Sequence, residues 1–229
     1  MMRIDIISAV PDLLESPLKT SIIKRAQDKG ILSLFIHNLR DHAYNKHKQI
    51  DDKPFGGGPG MVLKPEPFFE CIEALQADRS YDHVIFTTPK GKIFNQKLAN
   101  DLSLSKNLLV IAGHYKEVDD RVRQKFATDE ISIGNFVLTG GELPALIIID
   151  AVVRLIPGVL NDSEAALDDS FQDGEIVEAP YFTRPAEYKG MKVPEVLLSG
   201  NEKEIKKWKE EQSKILTEKW REINSVKGQ

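Results

Sequence analysis

Two spacings of apolar residues alternate along the chain. Arg3–Ile7, Ile31–Leu39, Asp82–Thr87, Asn107–Ala112 and Glu130–Ile133 carry the short, apolar runs of strands. In Ile31–Leu39, Leu32, Leu34 and Ile36 fall on one face. Asn107–Ala112 (NLLVIA) is apolar on both faces, as a central parallel strand covered on both sides requires. Between these runs the spacing becomes helical in Pro17–Lys29, Pro67–Ala77, Asn95–Leu102, Asp119–Phe126 and Leu143–Ile156. Ser16 as N-cap, Pro17 at the first position and Gly30 as stop bound the first of these. Strands alternating with helices predict an α/β fold around a largely parallel sheet with helices on both faces.

After Pro157 the pattern changes. Residues 158–174 have no clear period and many acids, which suggests a linker or lid. Lys203–Glu222 is an amphipathic helix with Ile205, Trp208, Ile215, Leu216 and Trp220 near one stripe. The expected organisation is a main domain over 1–157, an acidic linker over 158–174 and a small helical domain over 175–229. Asp41–Gly60 is expected to be a long polar, glycine-rich loop.

Charge alters this picture in one place. The net charge of −4 at first argues against a nucleic-acid partner. However, Asn161–Glu178 holds Asp162, Glu164, Asp168, Asp169, Asp173, Glu175 and Glu178 with no Lys or Arg, and the rest of the chain carries +3. A basic patch on that remainder suffices for RNA. The lone cysteine, Cys71, has no partner for a disulfide or a cysteine zinc site and sits in an apolar helical pattern, so it is expected in the core. Asp5 interrupts the amino-terminal apolar stretch, so no secretory signal is read there and a cytoplasmic location is expected. The apolar run Ala145–Ile149 is far too short to cross a bilayer, so no membrane association is expected.

Candidate chemistry lies in the loops after strands. In Ile131–Pro144 (ISIGNFVLTGGELP), Gly134, Gly140 and Gly141 permit positive φ angles and close backbone approach. Gly113-His114-Tyr115 and Thr87-Thr88-Pro89 follow two other strands. Ligands of open α/β sheets sit at such carboxyl ends, and three loops converging on one crevice mean more than any one of them. Taken singly, each also fits a tight connection. Pro54–Met61 (PFGGGPGM) matches neither a Walker loop nor a dinucleotide fingerprint, because Met61-Val62 and Met61 stand where the defining residues belong. It is a surface loop or, beside Arg40, His42, Lys46, His47, Lys48 and Lys53, an RNA-backbone loop. Arg154 lies four residues after Asp150 in an apolar helix. It is an intrahelical ion-pair partner, a cation facing a negative oxygen, or both. Asp169, in the acidic segment, is a solvated carboxylate or a base.

At GGGPGM, GHYKEVDDR, SIGNFVLTGGELPAL, RLIPGVL, DSF, YFTRP and VPEVLLSG the chain resembles the bacterial tRNA (guanine-N1)-methyltransferases of the TrmD type, in the SPOUT superfamily. The blocks run in one order from Met1 to about Trp220. The resemblance implies methyl transfer from S-adenosylmethionine to N1 of the guanosine at tRNA position 37, 3′ of the anticodon. It implies an obligate homodimer with active sites at the subunit interface, and a trefoil knot at the carboxyl end of the first domain. The implied donor contacts are Thr87, Thr88, Pro89, Gly113, Tyr115, Ser132, Ile133, Gly134, Asn135, Phe136, Val137, Leu138, Gly140, Gly141 and Pro144. Asp169 corresponds to a general base and Arg154 to a residue steadying guanine O6. The 175–229 region would bind tRNA. Magnesium is implied as well, with no ligands assigned. The family often has Arg and Glu where this chain has His114 and Lys116, and Glu117 is a candidate for the displaced carboxylate. Two other readings remain: a SPOUT enzyme acting elsewhere on RNA, and a non-catalytic RNA- or nucleotide-binding module using GGGPG.

Overall fold

The computed structural model describes residues 1–160, 169–172 and 174–225. The chain divides into two compact units, Met1–Ser163 and Glu164–Gln229. In the first, five strands form one parallel sheet: β1 (Met2–Ser8), β2 (Leu32–Asn38), β5 (His83–Ile93), β6 (Asn107–Ala112) and β8 (Asp129–Ser132). Their order is β2-β1-β6-β5-β8. Three two-residue strands, β3 (Asp51–Asp52), β4 (Val62–Leu63) and β7 (Glu117–Val118), make a separate small sheet. The expected α/β fold with a parallel sheet is therefore what forms.

The register explains the two-sided core. Ile6, Val110 and Ile85 stand opposite one another across β1, β6 and β5. So do their neighbours Ile7, Ile111 and Phe86, whose side chains point to the other face. The first row packs under α1 (Asp12–Leu18), α2 (Ser21–Asp28), α4 (Gln96–Ser103) and α6 (Glu142–Val153). The second packs under α3 (Pro65–Asp78) and α5 (Asp120–Phe126). Each fully buried Ile or Leu in these layers contributes about 1.5–3 kcal/mol. Cys71 lies fully inside the second layer. Burial, aided by the charge of Asp5, pushes its thiol up to about 12, which keeps it protonated and inert.

The expected single helix over Pro17–Lys29 is corrected to two. Helix α1 starts at Asp12, because Leu14 and Leu18, four apart, bury a first apolar face. Pro17 sits inside it rather than at its start. Ser21, at φ 50, then turns the chain before Ile23 and Ala26 return to the core. Gly30, at φ 66, terminates α2 as expected. Strand β5 runs past the expected Thr87 to Ile93 because β8 pairs with it twice. Ile131 is opposite both Thr87 and Lys92, so the intervening residues leave the sheet as a bulge. Gly91 closes that bulge: a Cβ there would lie 2.5 Å from the Glu130 carbonyl.

The second unit holds a hairpin of β9 (Glu187–Tyr188) and β10 (Met191–Lys192), then α7 (Glu195–Leu198) and α8 (Glu202–Ser225). The inward stripe of α8 differs from expectation. Ile215 is 55% exposed, and Ser213 and Thr217 face inward instead. Ser213 Oγ donates to the Val177 carbonyl at 2.6 Å, and Thr217 Oγ1 accepts from the Val177 N–H at 2.9 Å. The helix thus satisfies the backbone of a segment that has no ladder of its own. Trp220 meets Phe171, and Trp208 meets Phe182, at ring distances of 5.2 and 6.3 Å. Most of the expected acidic linker, including Asp162, Glu164, Asp168 and Asp173, lies outside the described residues. Among the described residues no helix is long and apolar enough to cross a membrane.

Candidate functional site

Strands β5, β6 and β8 are neighbours or next neighbours in the sheet, so their carboxyl-end loops emerge side by side. They enclose a cavity of about 660 Å³, its open mouth included. Thr87, Thr88 and Pro89 form one wall, and Gly113 and Tyr115 a second. The third is Ser132, Ile133, Gly134, Phe136, Val137, Leu138, Gly140, Gly141 and Pro144. Of the expected contacts only Asn135 is not part of the lining.

The loops are fastened to one another. Gly141 N–H donates to the Gly113 carbonyl at 2.6 Å, and His114 and Gly140 form an isolated antiparallel bridge. Thr87 Oγ1 donates to the Ile111 carbonyl at 3.0 Å. The expected reason for the glycines needs correction. Only Gly134, at φ 149, uses a positive φ angle. A Cβ on Gly141 would lie 2.1 Å from Thr87 Oγ1 and 2.9 Å from the Gly113 nitrogen. Gly141 therefore lets the two loops pack closely, as well as lining the cavity. Tyr115 takes the left-handed φ of 61, which a side-chain-bearing residue holds only when its surroundings insist.

Ionisable side chains absent from the expected set also line the cavity: His114, Lys116 and Glu117. The signal in the sequence is the GHYKEV block itself, of which the expected contacts include only the glycine and the tyrosine. Lys90 Nζ lies 2.8 Å from Glu117, whose hydrogen bond and charge raise the lysine above its ordinary value. The GGGPG loop adjoins the same wall, because Lys116 N–H donates to the Met61 carbonyl at 3.1 Å. Arg40 donates to Tyr115 Oη at 3.3 Å, so the start of the basic stretch also reaches this rim. Lys46, His47, Lys48 and Lys53 are exposed.

Arg154 ends α6 in the first unit, its N–H donating to the Asp150 carbonyl at 3.2 Å. Asp169 belongs to the second unit, where its carbonyl accepts from Gln172 N–H at 3.4 Å in a turn. Among the described residues no three His, Cys, Asp or Glu side chains converge as metal ligands. Glu117, the carboxylate in the cavity wall, is already engaged by Lys90. Among the described residues, no oxygen cluster stands ready for the magnesium that the resemblance implies.

The tRNA (guanine-1)-methyltransferase TrmD family matches residues 2–224. A tRNA (guanine-N(1)-)-methyltransferase of Bacteroides fragilis is 57% identical over 212 residues, covering 93% of this chain and 94% of that protein. Its namesake in Cytophaga hutchinsonii is 59% identical over 208 residues, covering 91% and 88%. The one in Chlorobaculum tepidum is 54% identical over 216 residues, covering 94% of each. With a parallel sheet, a cavity where its strands end and this match from end to end, the chain belongs to the tRNA (guanine-1)-methyltransferase TrmD family.

Proposed function

We propose that this chain moves a methyl group from S-adenosylmethionine to N1 of the guanosine at tRNA position 37. The observation that carries this reading is the convergence of three strand-end loops on one cavity, lined by residues of the family motifs. Gly113, Ile133, Leu138, Gly140 and Pro144 offer apolar contacts and main-chain polar groups to a nucleoside. When bound there, the donor supplies a methyl group activated as a sulfonium. Guanine N1 is a poor nucleophile until it loses its proton. Asp169 takes that proton, N1 attacks the methyl carbon, the S–CH3 bond breaks, and its electron pair returns to sulfur. The charge that builds on O6 is met by the Arg154 guanidinium. Position 37 lies in a loop, so its base is extruded at less cost than one in a duplex.

The pairing of the Gly113 and Gly141 loops, with the double register of β5 on β8, supports a SPOUT trefoil knot. Exposed Leu143 and Ile147 on the apolar helix α6, together with exposed Val137 and Leu138 of the cavity rim, support a homodimer that covers them. In that dimer Asp169 would serve the partner's cavity. The basic loop around Lys46–Lys53 and the second unit would hold tRNA, and the reaction belongs in the cytoplasm. Methyl transfer to two matched transcripts, guanosine against adenosine at position 37, tests the reading. Only the guanosine transcript should be labelled, and equal labelling would refute the specificity. Light scattering should report a dimer; a fully active monomer would refute the shared site.

A further inference from the structure

One charged group behind the cavity has no part in the mechanism above. Glu142, the first residue of α6, is fully buried. A buried carboxylate is tolerated only when its oxygens are satisfied. Here Ser8 Oγ, at the end of β1, donates to Oε1 at 2.8 Å. That hydroxyl also accepts from the Val10 N–H at 2.9 Å, which fixes its proton on the carboxylate side. The other oxygen, Oε2, lies 3.1 Å from His114 Nδ1, and because a carboxylate only accepts, the imidazole N–H is the donor when Glu142 is ionised. The amino-terminal end of α6 adds a favourable dipole.

The position of this group is what gives it a role. His114 is in the cavity wall, between Gly113 and the strained Tyr115, against which its ring packs edge-on at 5.3 Å. Gly140 lies directly over the His114–Glu142 contact. A Cβ there would be 2.3 Å from both Glu142 Oε2 and His114 Nδ1, so the pair itself accounts for that glycine. The carboxylate thus clasps the ends of β1 and β6 and the start of α6, 134 and 28 residues apart along the chain.

We infer that Glu142 is a positioning residue for the methyl-donor cavity, acting through His114 to hold the Gly113–Tyr115 loop in its binding shape. This rests on the cavity being the donor site. The test measures S-adenosylmethionine affinity by calorimetry, together with kcat, KM and urea midpoint, for H114A, H114N, E142Q and the double variant H114A/E142Q. H114A and E142Q should each weaken donor binding about tenfold, which corresponds to about 1.4 kcal/mol. The loss should fall more on the donor KM than on kcat, since neither group is positioned to touch the reacting atoms. H114N, whose amide keeps a donor near the Nδ1 position, should restore most of the affinity. The double variant should be no worse than the worse single one, because both break one contact. H114A alters a partly exposed loop side chain, so it reports on the clasp even if E142Q lowers the urea midpoint too far to be assayed. Wild-type donor affinity in folded H114A, or losses that multiply in the double variant, would overturn the inference while leaving the donor reading intact. A wild-type protein that binds no S-adenosylmethionine would overturn both.

Discussion

Replacing Gly141 with alanine adds one methyl group where the loops of the cavity are tightest. The backbone there has φ −86, which any residue adopts, so the penalty is purely steric. The new Cβ would stand 2.1 Å from Thr87 Oγ1, 2.9 Å from the Gly113 nitrogen and 3.1 Å from Ala112 Cα. Thr87 is 6% exposed and its hydroxyl is held by the Ile111 carbonyl, so it cannot simply turn away. Reaching ordinary contact with Gly113 alone requires a shift of about 0.5 Å, which stretches the 2.6 Å bond joining Gly141 to Gly113. Overpacking of this kind costs about 1–3 kcal/mol. Part of it should appear as a lower urea midpoint and part as donor affinity reduced about tenfold or more, read by calorimetry with S-adenosylmethionine. Adding Thr87→Ala removes the worst contact and should recover part of both. A Gly141→Ala protein with unchanged midpoint and unchanged donor affinity would show that the loops do not meet as described.

Asp169→Ala should cut turnover by about 10²–10⁴ while donor affinity stays within about twofold, because the donor cavity is lined by first-unit residues; near-normal single-turnover rates would remove Asp169 from the mechanism. Gly91→Ala places a Cβ against the Glu130 main chain and should destabilise the protein by about 2–3 kcal/mol in urea titrations, where no change would contradict the β5 bulge. Asp5 is fully buried, and although burial raises its carboxyl, hydrogen bonds from His37, Arg3 and Tyr81 outweigh this and hold it below the usual carboxylate range. Its stabilisation is therefore present above pH about 4 and lost as pH falls through the depressed folded value. Asp5→Ala should cost on the order of 3 kcal/mol at neutral pH, with the gap to wild type narrowing in acid; a pH-independent gap would refute the assignment.

The element types were legible in the sequence because periodicity is local. Asn107–Ala112 announced a doubly covered strand, and it is β6, at the centre of the sheet. The three strand-end loops were legible for the same reason, since each glycine or small residue follows its own strand. The family motifs added order and coverage that no spacing supplies. What the chain alone left open depends on contacts between distant segments. The break between α1 and α2 follows from where Leu14, Leu18 and Ile23 must bury, not from the position of Pro17. At Gly141 the sequence suggests only a tight turn with close backbone approach, and it takes the packed loops to show that Thr87 and Gly113 exclude any side chain there. Glu142, an ordinary acid at a helix start in the sequence, is buried between Ser8 and His114. Strand order, loop clasp and cavity shape come from pairing across the sheet, which a one-dimensional pattern does not encode.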